Sequence, residues 1–225
     1  NLYRYTGDRD VVADLVPVAE GVLRWFESYL GDDGLLHDVT GWALLDWASV
    51  YPQGTSSVLN ALWARALEDL SEMADWLGNP GTAAWARARR QGVRAGFDRF
   101  WDEQRGVYID HVVGGEPRRP AAQHGGAAAL AAGIVPADRV ARVVAGITDR
   151  SRLVRHSFVM DPVTVEGGST GFVYLTTGYP EPEWDAEHKM VEAEPFFRYV
   201  VHDGLARAGR RSEEHTSELQ SHSFI

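Results

Sequence analysis

Successive apolar segments with helical spacing, separated by turns rich in glycine and proline, constrain the fold of this chain most. In the first segment, apolar residues recur at intervals of three and four with charged residues between them, which predicts one buried and one solvated helix face. The apolar positions are Val11, Val12, Leu15, Val18, Val22, Leu23, Phe26 and Leu30. Pro17 is expected to kink or restart this helix. The Gly-Asp-Asp-Gly run at 31–34 then favours a turn.

Two further helices are predicted to form a hairpin. The Thr-Ser-Ser run at 55–57 offers N-caps for a helix that ends at Gly78. Asn79 and Pro80, a cap followed by a first-turn proline, begin a third helix that extends to about Trp101. The short connection makes the two helices antiparallel neighbours.

The same pattern continues more weakly towards the C-terminus. Residues 121–134 predict an alanine-rich helix whose small side chains allow close packing, and Pro136 begins its partner. Residues 153–178 favour irregular loop with short strands, because β-branched and aromatic residues alternate with glycine breaks. A last helix is expected over 195–208. We therefore predict an all-α array of antiparallel helices with a few short strands.

Composition and charge exclude several classes of protein. Of the 225 residues, 44% are hydrophobic, yet the longest apolar runs are far shorter than a membrane span requires. A net charge of −10 leaves no basic stripe for phosphates, which argues against a nucleic-acid partner. Without cysteine there is neither a disulfide framework nor a thiolate site, and either redox compartment stays possible. The sequence leaves localisation and oligomeric state open.

The two ends suggest a piece of a longer protein. The chain begins at Asn1 rather than Met, and residues 211–225 resemble the translation of a sequencing adapter. Before that tail, Lys189 is the only lysine among many arginines, which is typical of a GC-rich bacterial genome. We expect one incomplete domain over 1–210, followed by an artefactual or disordered tail over 211–225.

A short segment between the first two helices indicates a carbohydrate site. Trp42 and Trp47 bracket Asp46. Indole faces stack on the C–H surfaces of sugars, and a carboxylate among them can accept hydrogen bonds from hydroxyl groups. The alternative is that both indoles fill the core and that Asp46 caps the helix beginning near Thr55 or pairs with an arginine.

Several motifs, taken in their order along the chain, resemble the bacterial α-L-rhamnosidase six-hairpin glycosidase domain. The motifs are Tyr5-Thr6-Gly7-Asp8, Trp25-Phe26, Asp33-Gly34-Leu35-Leu36, Trp42 through Asp46-Trp47, Gln123-His124, Pro195-Phe196-Phe197 and Gly209. The resemblance covers about residues 2–210. It implies a partial (α/α)6 toroid with a sugar site at one mouth, and no cofactor or metal.

The resemblance also implies a function for the parent protein. Family members hydrolyse terminal α-L-rhamnosyl bonds with inversion, using one carboxylic acid and one carboxylate base. The family positions of both groups fall outside this chain, so we transfer no catalytic residue and expect the chain alone to be inactive. The substrate-binding candidates are Trp42, Asp46, Trp47, Gln123 and His124. Carbohydrate, rather than nucleic acid or membrane, is the expected partner.

Other signatures carry less weight. Glu192 and Glu194 form an acidic pair that we interpret as a solvated loop, since neighbouring side chains point in different directions. His188 and Glu192 are four residues apart, but two ligands do not complete a metal site. The Gly-Gly-Ser-Thr-Gly run at 167–171 matches a nucleophile elbow without the alternating strands and helices that this turn requires.

Two alternative functions remain open from the sequence. Another six-hairpin carbohydrate-active enzyme, of the glucoamylase or trehalase type, would have the same helical periodicity. A non-enzymatic helical-array binding module is the other alternative, although the hairpins differ in length and lack the regular repeat of a solenoid.

Overall fold

The computed structural model shows a mostly helical protein and describes residues 2–40, 44–157, 162–164, 170–172 and 181–209. The helices are α1 (Leu2–Thr6), α2 (Arg9–Trp25), α3 (Ser57–Leu77), α4 (Pro80–Gly96), α5 (Gln123–Ala132), α6 (Val140–Thr148) and α7 (Pro195–Arg207). The predicted helical fold with a few short strands is confirmed. Among the described residues, no helix is both long enough and apolar enough to cross a bilayer. The tail at 211–225 lies outside the described residues.

Helix α2 differs from the sequence prediction in two respects. Asp8 caps it by accepting hydrogen bonds from the backbone of the first turn, and the helix then continues through Pro17, so the predicted restart is wrong. The buried positions are Val12, Val16 and Leu23, whereas Leu15, Val18 and Val22 are 54–64% exposed. Apolar residues occur on more than one face of α2, and the part of α3 packed against it covers only one of these faces.

The predicted hairpin of α3 and α4 is confirmed. Ser56 Oγ accepts a hydrogen bond from the Leu59 backbone N–H (3.3 Å), and Gly78 ends α3 in the left-handed conformation with φ at 72°. Asn79 Oδ1 caps α4 through the backbone N–H of Thr82 (3.2 Å). Helix α4 ends at Gly96, earlier than expected, because the chain tightens into a 3-10 turn over Phe97–Phe100.

Helix α5 lies at the centre of the helical array. Every residue from Gln123 to Ala132 is buried, and the helix packs against both α3 and α7. On α7, a Cβ atom added to Gly204 would lie 2.6 Å from the carbonyl oxygen of Ala127. The two backbones are therefore in close contact, as the small side chains of this segment predict.

The strands are short and join the loops at one end of the helices. The first sheet has the order β1 (Thr55–Ser56), β4 (His111–Val113), β5 (Glu116–Pro117), and β2 (Trp101–Asp102) pairs with β3 (Val107–Tyr108). The parallel pair is β6 (Leu153–Val154) with β9 (Met190–Val191), and β7 (Pro162–Thr164) pairs with β8 (Thr170–Phe172). The β1–β4 and β6–β9 pairs connect loops that are distant in sequence.

Asp110, immediately before β4, is a fully buried carboxyl group at the junction of four segments. Its side chain accepts hydrogen bonds from the backbone N–H groups of Tyr51 (3.3 Å) and Ala122 (2.8 Å). Its backbone carbonyl accepts from the N–H of Ser57 (2.9 Å), and its own N–H donates to the carbonyl of Pro120 (2.9 Å). Burial raises the pKa of the Asp110 carboxyl to about 7. The residue fixes the loop before β1 against the start of α5.

Two glycines with nearly the same backbone conformation provide a test of the packing between the first turn and α4. Both Gly34 and Gly78 have positive φ, but a Cβ on Gly34 would lie 2.6 Å from the carbonyl oxygen of Gly92, whereas Gly78 faces open space. We expect Gly78→Ala to lower the free energy of unfolding by about 1–2 kcal/mol through backbone strain. Gly34→Ala should cost about 1–3 kcal/mol more through overpacking. Urea denaturation of both variants measures this, and equal losses would contradict the close contact.

Candidate functional site

The candidate site begins in the loop at 44–54, which leads from the first turn to α3. Ala48 forms a β-bridge with Ser157, and the backbone N–H of Ser49 donates to the carbonyl of His156 (2.9 Å). Ser49 Oγ also lies 2.7 Å from His156 Nδ1. These contacts hold the loop against the segment that follows β6, more than 100 residues later in the chain.

Three residues from distant segments meet in what we call the Asp46 cluster, formed by Asp46, His124 and Glu194. His124 Nε2 lies 2.7 Å from Asp46 Oδ2, and the backbone N–H of Glu194 donates to the same oxygen (2.8 Å). The Asp46 and His124 side chains are completely shielded from solvent. The buried carboxylate thus ties the loop at 44–54 to the first turn of α5 and to the start of α7.

The environment of His124 determines its protonation. Burial lowers its pKa, and the hydrogen bond to Asp46 together with the charges of Asp46 and Glu194 opposes this only in part. The imidazole is therefore neutral, with the proton on Nε2 because the carboxylate oxygen is the acceptor. Nδ1 is buried without a hydrogen-bond partner among the described residues, and the ring lies 4.4 Å from that of Phe197.

The outer edge of the Asp46 cluster presents two groups suited to a sugar. The backbone N–H of Trp47 donates to Asp46 Oδ1 (2.8 Å), while the residue itself is 47% exposed. The Glu194 carboxylate is partly buried and accepts a hydrogen bond from Ser157 Oγ (3.1 Å). The Asp46 carboxylate therefore holds the backbones of both residues, Trp47 through Oδ1 and Glu194 through Oδ2.

The remaining sequence candidates have different positions. Trp42 lies outside the described residues. Gln123 is buried, with Nε2 donating to the carbonyl of Ile147 (2.6 Å) and Oε1 accepting from the N–H of Ala193 (2.7 Å). Its amide joins the ends of α6 and β9 to α5, and a role of Gln123 in substrate binding stays a prediction.

The two acidic residues near α7 have separate environments. Glu192 accepts hydrogen bonds from Arg155 (3.1 Å) and Arg198 (3.2 Å). Glu194 belongs to the Asp46 cluster, which sequence reasoning missed because 148 residues separate Glu194 from Asp46. The only local signal is the position of Glu194 as N-cap of α7, directly before a first-turn proline.

The other motifs considered in the sequence form no competing site within the described residues. In the part of the chain that the structure describes, no group of three or more acidic or histidine side chains is arranged to hold a metal ion. His188 instead contacts the nearby carboxylate of Asp185 (2.9 Å). Of the nucleophile-elbow motif at 167–171, residues 167–169 lie outside the described residues.

Comparison with protein families identifies the chain. The model of the bacterial α-L-rhamnosidase six-hairpin glycosidase domain matches residues 1–158. The chain belongs to this family. The recognition made from the sequence motifs is therefore confirmed. A comparison with curated proteins finds no match.

Solved structures show the same fold. A rhamnosidase of family GH78 from Bacillus sp. GL1 has a TM-score of 0.73 at 20% identity, over 98% of this chain and 20% of the other. A rhamnosidase from Klebsiella oxytoca, solved with rhamnose bound, has a TM-score of 0.67 at 16% identity, over 96% of this chain and 34% of the other. The chain thus spans a fifth to a third of the length of these two proteins.

The lowered pKa of His124 predicts a pH dependence of stability. Because the folded state holds a neutral ring, the unfolded chain binds more protons below pH about 6.5, and this contribution to stability is lost as the pH falls from 7 to 5. In His124→Gln the side chain still offers an N–H to Asp46 but cannot ionise. We expect the difference in unfolding free energy between the two proteins to shift in favour of the variant at low pH. Parallel pH profiles from urea denaturation would contradict a buried neutral imidazole.

Proposed function

We propose that this chain binds the terminal sugar of an α-L-rhamnoside as part of a glycoside hydrolase. The match of the family model over residues 1–158 is the observation that supports this most. Because the chain spans only part of the solved rhamnosidases, hydrolysis and substrate are proposals for the parent protein. A glucoamylase-like or trehalase-like enzyme and a non-enzymatic array are not favoured by the family match.

The chemistry of the Asp46 cluster suits this substrate. L-Rhamnose is a 6-deoxyhexose, so one edge of the sugar carries a methyl group that can pack against the exposed indole of Trp47. The Glu194 carboxylate can accept hydrogen bonds from ring hydroxyl groups. Specific sugar binding requires both an apolar wall and fixed acceptors, and here Asp46 holds both groups through their backbone N–H bonds.

Within this proposal, Asp46 and His124 act as positioning residues. Both side chains are inaccessible to solvent in this arrangement, and each oxygen of the Asp46 carboxylate already accepts at least one hydrogen bond. Asp46 would therefore influence the sugar through Trp47 and Glu194. The substrate-binding roles of Trp42 and Gln123 remain predictions.

We assign no catalytic acid or base to this chain. Inverting hydrolysis needs two carboxyl groups roughly 6.5–9.5 Å apart, on opposite sides of the scissile bond with room for water between one of them and the sugar. We propose that the parent protein supplies this pair outside the chain and that the Asp46 cluster orients the rhamnosyl ring. The chain would then contribute recognition, and the complete enzyme would contribute bond cleavage.

Two exposed tryptophans provide a matched test of sugar binding. We expect the 225-residue chain to bind methyl α-L-rhamnoside more tightly than methyl α-D-glucoside. Trp47→Ala should weaken rhamnoside binding about tenfold, equivalent to about 1.4 kcal/mol. Trp25, 54% exposed on α2, is the control, and Trp25→Ala should leave affinity unchanged. Isothermal titration calorimetry measures both. Equal affinity of Trp47→Ala and the wild type would remove Trp47 from the site, and preference for the glucoside would favour the alternative enzyme class.

A further inference from the structure

A separate cleft of about 480 Å³ lies beside the loop at 44–54. Its lining includes Tyr51, Gln53, His111, Arg118, Glu181 and Pro182. These residues come from the loop before β1, from the β4 and β5 hairpin, and from the segment that precedes β9. The cleft is large enough for a monosaccharide, and it shares a loop with the Asp46 cluster.

Two polar groups in this cleft have unused hydrogen-bonding capacity. Gln53 Oε1 is shielded from solvent and has no hydrogen-bond partner among the described residues. His111 Nδ1 lies 3.2 Å from the carbonyl oxygen of Gln53, so it carries the proton and leaves Nε2 as an acceptor. Burial lowers the pKa of His111 to about 4, which keeps the ring neutral near pH 7. A buried amide oxygen without a hydrogen-bond partner is costly unless a ligand satisfies it.

Three charged side chains line the cleft, those of Arg118, Arg119 and Glu181. Arg119 forms an ion pair with Glu187, but no carboxylate among the described residues lies within ion-pair distance of the Arg118 guanidinium. Glu181 also lines the cleft and offers an acceptor for hydroxyl groups. In a chain with a net charge of −10, a guanidinium without an ion-pair partner in the described part of the chain provides a local site for an anion. Its planar fork matches a carboxylate in a bidentate manner.

The apolar part of the cleft lining consists of Tyr51, Val113 and three prolines. The Tyr51 ring centroid lies 5.3 Å from that of His111 and 6.2 Å from that of Trp184, and the Tyr51 backbone is held by Asp110. Flat ring faces of this kind pack against the C–H surface of a pyranose. The combination of a ring face, hydroxyl acceptors and the Arg118 guanidinium indicates a sugar that carries a negative charge.

We propose that this cleft binds a uronic acid unit, with its carboxylate on Arg118 and its hydroxyl groups on Gln53 and Glu181. The inference rests on the proposed function in expecting a glycan ligand. It adds a second recognition site with a defined charge requirement.

The test uses two glycosides that differ only at C6. Methyl β-D-glucuronoside should bind the 225-residue chain at least tenfold more tightly than methyl β-D-glucoside at low ionic strength, as measured by isothermal titration calorimetry. Arg118→Gln should abolish this difference, while Arg94→Gln, a control with the same charge change at an exposed position on α4, should preserve it. Circular dichroism verifies that each variant is folded.

A second variant separates binding from folding. Gln53→Leu removes the partnerless amide, so it should weaken glucuronoside binding without lowering the thermal unfolding midpoint. Equal affinity for both glycosides, or full glucuronoside affinity in both Arg118→Gln and Gln53→Leu, would overturn the proposal. If acetate has the same affinity as the glucuronoside, the site recognises only a carboxylate, and the proposal that it binds a sugar would be overturned. Rhamnoside binding at Trp47 is measured separately, so failure of either proposal is recognised independently of the other.

Discussion

The loop end of this molecule depends on the hydrogen bonds of one buried carboxyl group, that of Asp110. Its oxygens accept hydrogen bonds from the backbone N–H groups of Tyr51 and Ala122. Without this acceptor each N–H would lie unpaired in the interior, which would cost about 1–3 kcal/mol. The backbone carbonyl of Asp110 accepts a further hydrogen bond from the N–H of Ser57, at the start of α3. The loop at 44–54 carries both Trp47 and Tyr51, so the Asp46 cluster and the cleft share this anchor.

The helices could be predicted from the sequence because their signals are local. Ser56, Gly78 and Asn79 act within one helical turn of the elements that they begin or end, and an apolar period of three to four residues is independent of neighbouring segments. The face that a helix buries is a tertiary property. Val16 rather than Leu15 or Val18 is buried on α2, because the position of α3 determines which apolar row is covered.

The candidate site could be predicted only in part for the same reason. Asp46 and His124 were identified by residue type and motif order, and the structure brings them into contact. Glu194 enters through a backbone N–H bond across 148 residues, which leaves no pattern in the sequence. The cleft is similarly non-local, since Gln53, His111 and Glu181 come from segments without a shared period or motif.

The burial of α5 along its whole length has an evolutionary consequence. A Cβ atom added to Gly125 or Gly126 would lie 3.0 Å from Ser57 or Ile147, so close packing constrains mutation of this helix. Diversification towards new glycans would have to take place in the loops at 44–54, 111–120 and 181–194, which can vary while the inner helix stays the same.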